Sequence, residues 1–263
     1  MLISNKTSFY LSCSSNPGNF GATLYNYFFE KYSINSIYLP RSCESSKEMI
    51  ESIKTLNCLG CSVSMPLKNK VIPFLDDLSN NAKISQSVNT IVNKNGFTTG
   101  HNTDIYGVMK VLESTKVKQV IIYGSGSVVD SIVVALKSLQ IDSISIISRN
   151  PIMASEKSKF HNIKLIEDAK SISTSYDLLI NATPSNYDGD LKFLFNYANM
   201  IFDLVVSPID TEIISAAKDS EKSFFTGIEM TKYQFQKQFL IYTNIEIKIQ
   251  EIEYALTNLF VKQ

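Results

Sequence analysis

A lysine and a carboxylate, Lys68 and Asp104, each follow a short apolar segment in the first part of the chain. The same segments carry further polar side chains, namely Ser64, Asn89 and Asn102. In open α/β sheets, ligands bind just beyond the carboxyl ends of the strands, which is where these side chains are expected. A lysine has an unperturbed pKa of about 10.4, which a neighbouring carboxylate raises and burial lowers. Lysine and carboxylate side chains placed together in this way can exchange a proton with a bound ligand. Taken alone, Lys68 predicts only a solvated lysine at the start of a helix.

A glycine-containing turn provides a second candidate site. The segment Val120–Ser127 is an apolar strand that runs into a Gly-x-Gly turn and then a helix. Gly124 permits the tight turn, Gly126 lets the backbone approach a pyrophosphate, and the N–H groups at the helix start favour an anion. The third small-residue position of such a loop is Val129, so an ordinary strand-to-helix turn is the alternative.

The choice of cofactor depends on Arg149, which ends the next apolar strand, Ser143–Ser148. A chain that binds NAD usually has Asp or Glu there for the ribose hydroxyls, whereas a basic side chain suits a 2′-phosphate. Only Arg41 and Arg149 are arginines among the 25 basic side chains. The position therefore predicts NADP, with an ordinary surface arginine as the alternative.

Alternating strand and helix patterns predict an α/β protein of two domains. Continuous apolar strands separated by helices favour a parallel sheet covered on both faces. The predicted domains are an N-terminal substrate-binding and catalytic domain, residues 1–104 with 232–263, and a Rossmann-type NADP-binding domain, residues 105–231. The C-terminal helices are predicted to return to the first domain. The predicted helices are 21–32, 45–55, 104–113, 127–139, 229–242 and 245–259.

A β-hairpin is predicted between Val88–Asn93 and Phe97–Gly100. The pair Asn95-Gly96 between them is a strong signal for a two-residue hairpin turn. Pro66 is expected to end the preceding strand, because proline cannot continue a central ladder.

Composition limits the partners and the location. The 263 residues are 44% hydrophobic, with 25 basic and 25 acidic side chains, which predicts no nucleic-acid or membrane partner held by bulk charge. No signal-peptide pattern or apolar run of roughly 20 residues is present, so a cytoplasmic protein with reduced thiols is expected. Cys58 and Cys61 have the spacing of a redox or metal pair, but no second pair accompanies them, so we predict a structural role and no metal.

Six ordered motifs resemble those of shikimate dehydrogenases and span nearly the whole chain. The resemblance implies an NADP-dependent oxidoreductase of the chorismate pathway of aromatic amino acid biosynthesis, acting on a small-molecule substrate as a monomer or homodimer. It would interconvert 3-dehydroshikimate and shikimate, or act on a closely related hydroxylated cyclic carboxylic acid. The six motifs are Ser64–Lys68, Ser87–Ile91, Asn102–Gly107, Asn181–Pro184, Asp203–Thr211 and Gly227–Gln234.

The same resemblance implies residue roles. Lys68 would exchange the proton with the substrate hydroxyl or ketone as hydride moves to or from the nicotinamide, and Asp104 would pair with Lys68 and orient it. Asn89 and Asn102 would bind substrate hydroxyls. The candidate substrate residues are Asn19, Gly21, Ser64, Asn89, Asn102 and Gln234, and the candidate cofactor residues are Gly124, Ser125, Gly126, Ser127, Arg149, Thr183 and Gly227.

The sequence departs from the family at both ends of the predicted site. Two serines that hold the substrate carboxylate in the family are replaced by Asn19 and Gly21, which is similar to a divergent branch of shikimate dehydrogenase-like proteins. Asn19, Thr23 or backbone N–H groups would then hold the carboxylate. A Gly-Met pair of the family is Asn186-Tyr187 here. Two alternatives therefore remain, a different polyol-acid substrate and a low-activity or non-catalytic ligand-binding protein.

Overall fold

The computed structural model describes residues 3–184, 187 and 189–260. The chain divides into two compact units, the first formed by Met1–Thr103 with Gln234–Gln263 and the second by Asp104–Tyr233. Each unit is built on one six-stranded sheet. Asn186, one of the departures from the family pattern, lies outside the described residues.

The elements follow one another in a regular order. Up to Thr103 they are β1 (Ser8–Ser14), α1 (Phe20–Lys31), β2 (Ser36–Ser42), α2 (Ser46–Thr55), β3 (Gly60–Val63), β4 (Asp77–Leu78), α3 (Asn80–Ser85), β5 (Thr90–Lys94) and β6 (Phe97–His101). They continue with α4 (Asp104–Leu112), β7 (Gln119–Tyr123), α5 (Val128–Ser138), β8 (Ser143–Ile147), α6 (Pro151–His161), β9 (Lys164–Leu165) and β10 (Tyr176–Asn181). The last are α7 (Gly189–Tyr197), β11 (Ala198–Asp203), α8 (Glu212–Asp219), β12 (Ser223–Thr226), α9 (Gly227–Thr243) and α10 (Ile249–Phe260).

The sheet of the first unit is mixed, with strand order β2-β1-β3-β5-β6-β4. Strand β1 pairs in parallel with β2 and β3, whereas β5 pairs antiparallel with β3 and β6. The β5–β6 turn contains Asn95 at φ 53° and Gly96 at φ 88°, and two positive φ values in a row are those of a type I′ hairpin. The predicted hairpin is therefore confirmed.

Aromatic side chains tie the C-terminal helices to the first unit. Phe235 and Phe239 of α9 are buried, and their rings lie 4.7 Å and 6.0 Å from the ring of Tyr25 on α1. Lys31 of α1 forms an ion pair with Glu251 of α10. The prediction that the last helices return to the first domain is confirmed.

The second unit has a parallel sheet in the order β12-β11-β10-β7-β8-β9. Counted within this unit, the order is 6-5-4-1-2-3, which is that of a doubly wound dinucleotide-binding fold. Buried Ile122, Ile146, Leu178 and Ile180 form the centre of its core. The predicted Rossmann-type fold is therefore confirmed.

Four helices were not among the predicted ones: α3, α6, α7 and α8. Three of them begin at capping side chains that accept a hydrogen bond from a backbone N–H three residues on, which satisfies an otherwise unpaired donor. These caps are Ser79, Asn150 and Thr211. Within the described residues, no helix combines the length and apolarity needed to cross a membrane.

Candidate substrate and cofactor sites

In the first unit, the segment from Val63 to Lys68 is joined to Val88 and Asn89 by backbone hydrogen bonds. The N–H of Val63, the last residue of β3, donates to the carbonyl of Asn89 at 2.8 Å. The N–H of Val88 donates to the carbonyl of Lys68 at 2.9 Å. Lys68 is half-buried in the turn that follows β3, and Ser64 at the start of that turn is exposed. The structure thus brings Lys68 and Asn89 to the same edge of the sheet.

Asn89 and Thr103 form a hydrogen-bonded pair at this edge. The Asn89 Oδ1 accepts the backbone N–H of Thr103 at 2.9 Å, and the Asn89 Nδ2 donates to the Thr103 hydroxyl at 3.0 Å. The same hydroxyl accepts from Gln234 Nε2 at 3.0 Å. Both Asn89 and Thr103 are buried, and Gln234 is half-buried. Two predicted substrate residues, Asn89 and Gln234, therefore meet at Thr103, which sequence reasoning did not single out.

Asn102 is anchored separately. Its Nδ2 donates to the hydroxyl of Ser85 at 2.9 Å, and that hydroxyl donates to the carbonyl of Asn81 within α3. The helix α3 was not predicted, so this anchor was not expected from the sequence. Asn102 is buried, as is Asp104, the first residue of α4 in the second unit.

The segment that departs from the family forms the start of α1. Asn19 is its exposed N-cap residue, but its side chain makes no capping hydrogen bond. A Cβ on Gly21 would lie 3.6 Å from the ring of Tyr38, which is ordinary van der Waals contact. A small side chain would therefore fit at position 21, and the glycine is not required by packing.

The glycine turn of the second unit has two glycines with different constraints. Gly124 has a φ of 126°, and a Cβ there would lie 2.8 Å from Thr183 Cγ2 and 2.9 Å from the carbonyl of Ala182. Only glycine avoids both the strain and the clash. A Cβ on Gly126 would meet nothing within 4 Å, so space for a ligand lies beside this residue.

The helix start after this turn is suited to an anion. Ser127 is the N-cap of α5 and makes no side-chain cap. The N–H of Val129 donates to the carbonyl of Gly126 at 3.1 Å, and the positive end of the helix dipole still favours an anion at this turn. Val129, at the third small-residue position, is fully buried in the core. The larger side chain is accommodated there, and the turn still fits a dinucleotide.

Ser125 links the turn to the neighbouring strand. Its Oγ lies 2.9 Å from the Oγ of Ser148, the residue after β8. The next residue, Arg149, is exposed. The structure therefore brings the glycine turn and the basic side chain to one edge of the sheet.

A buried carboxylate holds the segment that contains Thr183. The Asp203 Oδ1 accepts from Asn181 Nδ2 at 2.9 Å, and its Oδ2 accepts from the Thr211 hydroxyl at 2.5 Å. Asn181 Oδ1 in turn accepts the Thr183 hydroxyl at 2.8 Å. Burial raises the pKa of Asp203, although these hydrogen bonds act in the opposite direction.

Gly227 has a structural requirement of its own. A Cβ at this position would lie 2.5 Å from the carbonyl oxygen of Leu204 and 2.6 Å from that of Val205. The glycine lets the start of α9 approach the backbone that follows β11.

The cysteine pair lies in the buried core of the first unit. Cys58 and Cys61 are buried free thiols, and burial raises the pKa of Cys58 to about 12, which disfavours the thiolate that a metal needs. Among residues 3–184, 187 and 189–260, no three His, Cys, Asp or Glu side chains are grouped to hold a metal ion.

The two units define a class of protein. One is a doubly wound sheet with a glycine turn of the dinucleotide-binding kind, and the other is an α/β unit with a polar site at its strand ends. This is the class of two-domain α/β proteins with a dinucleotide-binding domain.

Comparison with known proteins gives the family. Residues 20–91 match the family described as the shikimate dehydrogenase substrate binding domain. A shikimate dehydrogenase-like protein of Haemophilus influenzae is 32% identical over 254 residues, 92% of this chain and 93% of that protein. A shikimate dehydrogenase (NADP(+)) of Pelagibacter ubique is 35% identical over 248 residues, 90% of this chain and 92% of that protein.

A solved structure supports the same assignment. A shikimate 5-dehydrogenase-like protein has a TM-score of 0.86 at 30% identity, covering 97% of this chain and 98% of the other. The chain belongs to the shikimate dehydrogenase family.

Proposed function

We propose that this chain is an NADP-dependent oxidoreductase that interconverts 3-dehydroshikimate and shikimate, or a closely related hydroxylated cyclic carboxylic acid. The observation that carries the proposal is the meeting of Asn89 and Gln234 at Thr103, on the sheet edge that also holds Lys68. The names of the relatives, shikimate dehydrogenase (NADP(+)) among them, support the substrate and the cofactor.

Lys68 is proposed as the proton donor and acceptor. A secondary alcohol loses its hydroxyl proton when it is oxidised to a ketone, and a lysine ammonium returns that proton in the reverse direction. Asp104 is proposed as the partner that orients Lys68. Hydroxyl recognition is proposed for Asn89 and Asn102, assisted by Ser64 and Gln234.

The cofactor residues are proposed to act as anchors. When bound, NADP accepts or supplies the hydride, and the chain's own task is to hold it. The N–H groups at the start of α5, with Gly124, Ser125, Gly126 and Ser127, suit the pyrophosphate, and Arg149 suits a 2′-phosphate. Thr183 and Gly227 are proposed to complete the site.

The substrate carboxylate is proposed to bind at the start of α1. Asn19 is exposed and makes no side-chain cap there, so its amide and the first N–H groups of the helix are suited to an anion. Gly21 supplies no side chain, and this favours a second candidate, a dehydrogenase for a different polyol acid.

The test is reduction of NADP⁺ with shikimate, comparing the wild type with Lys68→Ala and with NAD⁺ as the second cofactor. Turnover that needs Lys68 and prefers NADP⁺ is expected. Activity confined to quinate or another hydroxy acid would select the second candidate. A folded protein that binds NADPH but turns over none of these substrates would show a non-catalytic ligand-binding protein instead.

A further inference from the structure

Gln238 on α9 is a buried amide with every hydrogen-bonding position in use. It is 3% exposed. Its Oε1 accepts the hydroxyls of Tyr25 at 2.7 Å and Ser62 at 2.9 Å. Its Nε2 donates to the backbone carbonyl of Asn89 at 3.2 Å and to the hydroxyl of Thr90. A flip of this amide would place its Oε1 against the carbonyl oxygen of Asn89, which can only accept, so the orientation is fixed.

The hydroxyl of Ser62 fixes the direction of the bonds on one side of Gln238. A serine hydroxyl has one proton and two acceptor positions, and Ser62 gives its proton to Gln238. It therefore accepts from Tyr38 at 2.5 Å and from Tyr242 at 3.3 Å. Tyrosine hydroxyls thus reach Gln238 both directly and through Ser62.

The hydroxyl of Thr90 fixes the direction of the hydrogen bonds on the other side of Gln238. It accepts from Gln238, so its own proton goes to the Asn89 Oδ1 at 2.7 Å. The Asn89 Oδ1 is then held as an acceptor, and the Nδ2 faces the Thr103 hydroxyl. The Asn89 Oδ1 therefore accepts from Thr90 as well as from the backbone N–H of Thr103. The bond from Thr90, which Gln238 directs, reinforces the amide orientation that this backbone N–H sets.

We infer that Gln238 is a positioning residue for substrate recognition, acting through Thr90 on the amide of Asn89. This inference rests on the proposed function, which assigns Asn89 to a substrate hydroxyl. Gln238 itself is buried and bonds to the backbone carbonyl of that residue. Hydrogen-bonded amides can exchange their donor and acceptor ends by a half-turn, and a hydroxyl of the substrate distinguishes the two ends. The backbone N–H of Thr103 sets one of them, and the neutral relay Gln238–Thr90–Asn89 reinforces it.

The first test replaces Gln238 with methionine, which has a similar length and no amide. We expect Gln238→Met to raise the KM for shikimate about tenfold and to leave the KM for NADP⁺ within about twofold. The matched control is Phe239→Leu, a buried change at the next position of α9 that loses packing but no bond of the relay. An equal rise of the KM for shikimate in the control, or none in Gln238→Met, would overturn the inference.

A second pair of variants breaks the relay at its last step without changing Gln238. Thr90→Val removes the hydroxyl at similar volume, and Thr90→Ser keeps it. The KM for shikimate should rise about tenfold in Thr90→Val and be restored in Thr90→Ser. Equal values in the two variants would contradict the relay.

A double-mutant cycle and a spectroscopic readout separate this inference from the proposed function. In the Asn89→Ala background, Gln238→Met should add almost nothing to the KM, because Gln238 acts through Asn89. In ¹⁵N-labelled protein, the side-chain amide signals of Asn89 should shift in Thr90→Val and stay in place in Phe239→Leu. If the wild type turns over no substrate, the proposed function fails, and these signals still decide whether the relay exists. Additive effects or unshifted signals would refute it.

Discussion

The hydroxyls of Ser125 and Ser148 lie 2.9 Å apart, so the glycine turn and the end of β8 form one surface of the second unit. Arg149 follows Ser148 directly and is exposed at this surface. A planar guanidinium matches a phosphate with two parallel hydrogen bonds, which is the basis of the first prediction.

Arg149→Ala is expected to weaken the binding of NADP⁺ more than the binding of NAD⁺. A hydrogen bond to a charged group contributes about 1.5–3 kcal/mol, which corresponds to roughly 10–100-fold in the KM for NADP⁺. The KM for NAD⁺ should change by less than about threefold, because NAD⁺ lacks the 2′-phosphate. The control is Lys159→Ala, which removes another exposed positive charge, on α6. Equal losses for the two cofactors would show that Arg149 does not read the phosphate.

The two glycines of the turn should respond differently to alanine. Gly124→Ala forces a residue with a Cβ to a φ of 126° and a contact of 2.8 Å, so a loss of stability of about 1–3 kcal/mol is expected. Gly126→Ala has open space and should leave the melting temperature unchanged while it weakens cofactor binding. Thermal unfolding and NADPH titration measure the two effects. A strongly destabilised Gly126→Ala would contradict this assignment.

Gly21→Ser tests the carboxylate site at the start of α1. The new Cβ would lie 3.6 Å from the ring of Tyr38, so the folded protein should tolerate it. One hydroxyl bonded to a carboxylate contributes about 1.5–3 kcal/mol, so the KM for shikimate should fall by roughly tenfold or more. Gly21→Ala is the control, because it adds the Cβ without the hydroxyl. The same KM in both variants would place the carboxylate elsewhere.

Asp130 is predicted to be a stability residue of the second unit. Its carboxylate accepts from Lys157 at 2.7 Å and lies 2.9 Å from His161 Nε2, and Asp130 and His161 are both buried. Asp130→Ala leaves Lys157 without its partner in a largely buried place, so a loss of about 3–5 kcal/mol is expected. Chemical denaturation measures it. Lys157→Met in the same background should recover part of the loss, and no recovery would contradict the ion-pair explanation.

Elements with a local signal were predictable from the sequence. The pair Asn95-Gly96 specifies its hairpin because both residues adopt positive φ. The strand before Gly124 and the helix after it follow from continuous apolar residues. By contrast, α6 has an irregular apolar pattern that leaves Ile152 and Phe160 exposed, and its start is marked only by the cap at Asn150.

The candidate site was predictable only where motifs mark it. Asn89 and Gln234 were expected from the resemblance, and the roles of all the site residues stay predictions. Thr103 lies within the Asn102–Gly107 motif but had no predicted role, and Ser62 and Gln238 lie outside the six motifs. Their contacts join residues far apart in sequence; the bond from Gln238 to Thr90 spans 148 residues. Only the fold shows such contacts.

The relay from Gln238 to Asn89 has a consequence for the response to salt. Its members are uncharged side chains, and an ionic atmosphere screens charges but leaves neutral, buried hydrogen bonds almost untouched. Recognition by the exposed guanidinium of Arg149 is screened, over a Debye length of about 8 Å at physiological ionic strength. Rising ionic strength should therefore erode the preference for the phosphorylated cofactor while selection among substrate hydroxyls persists.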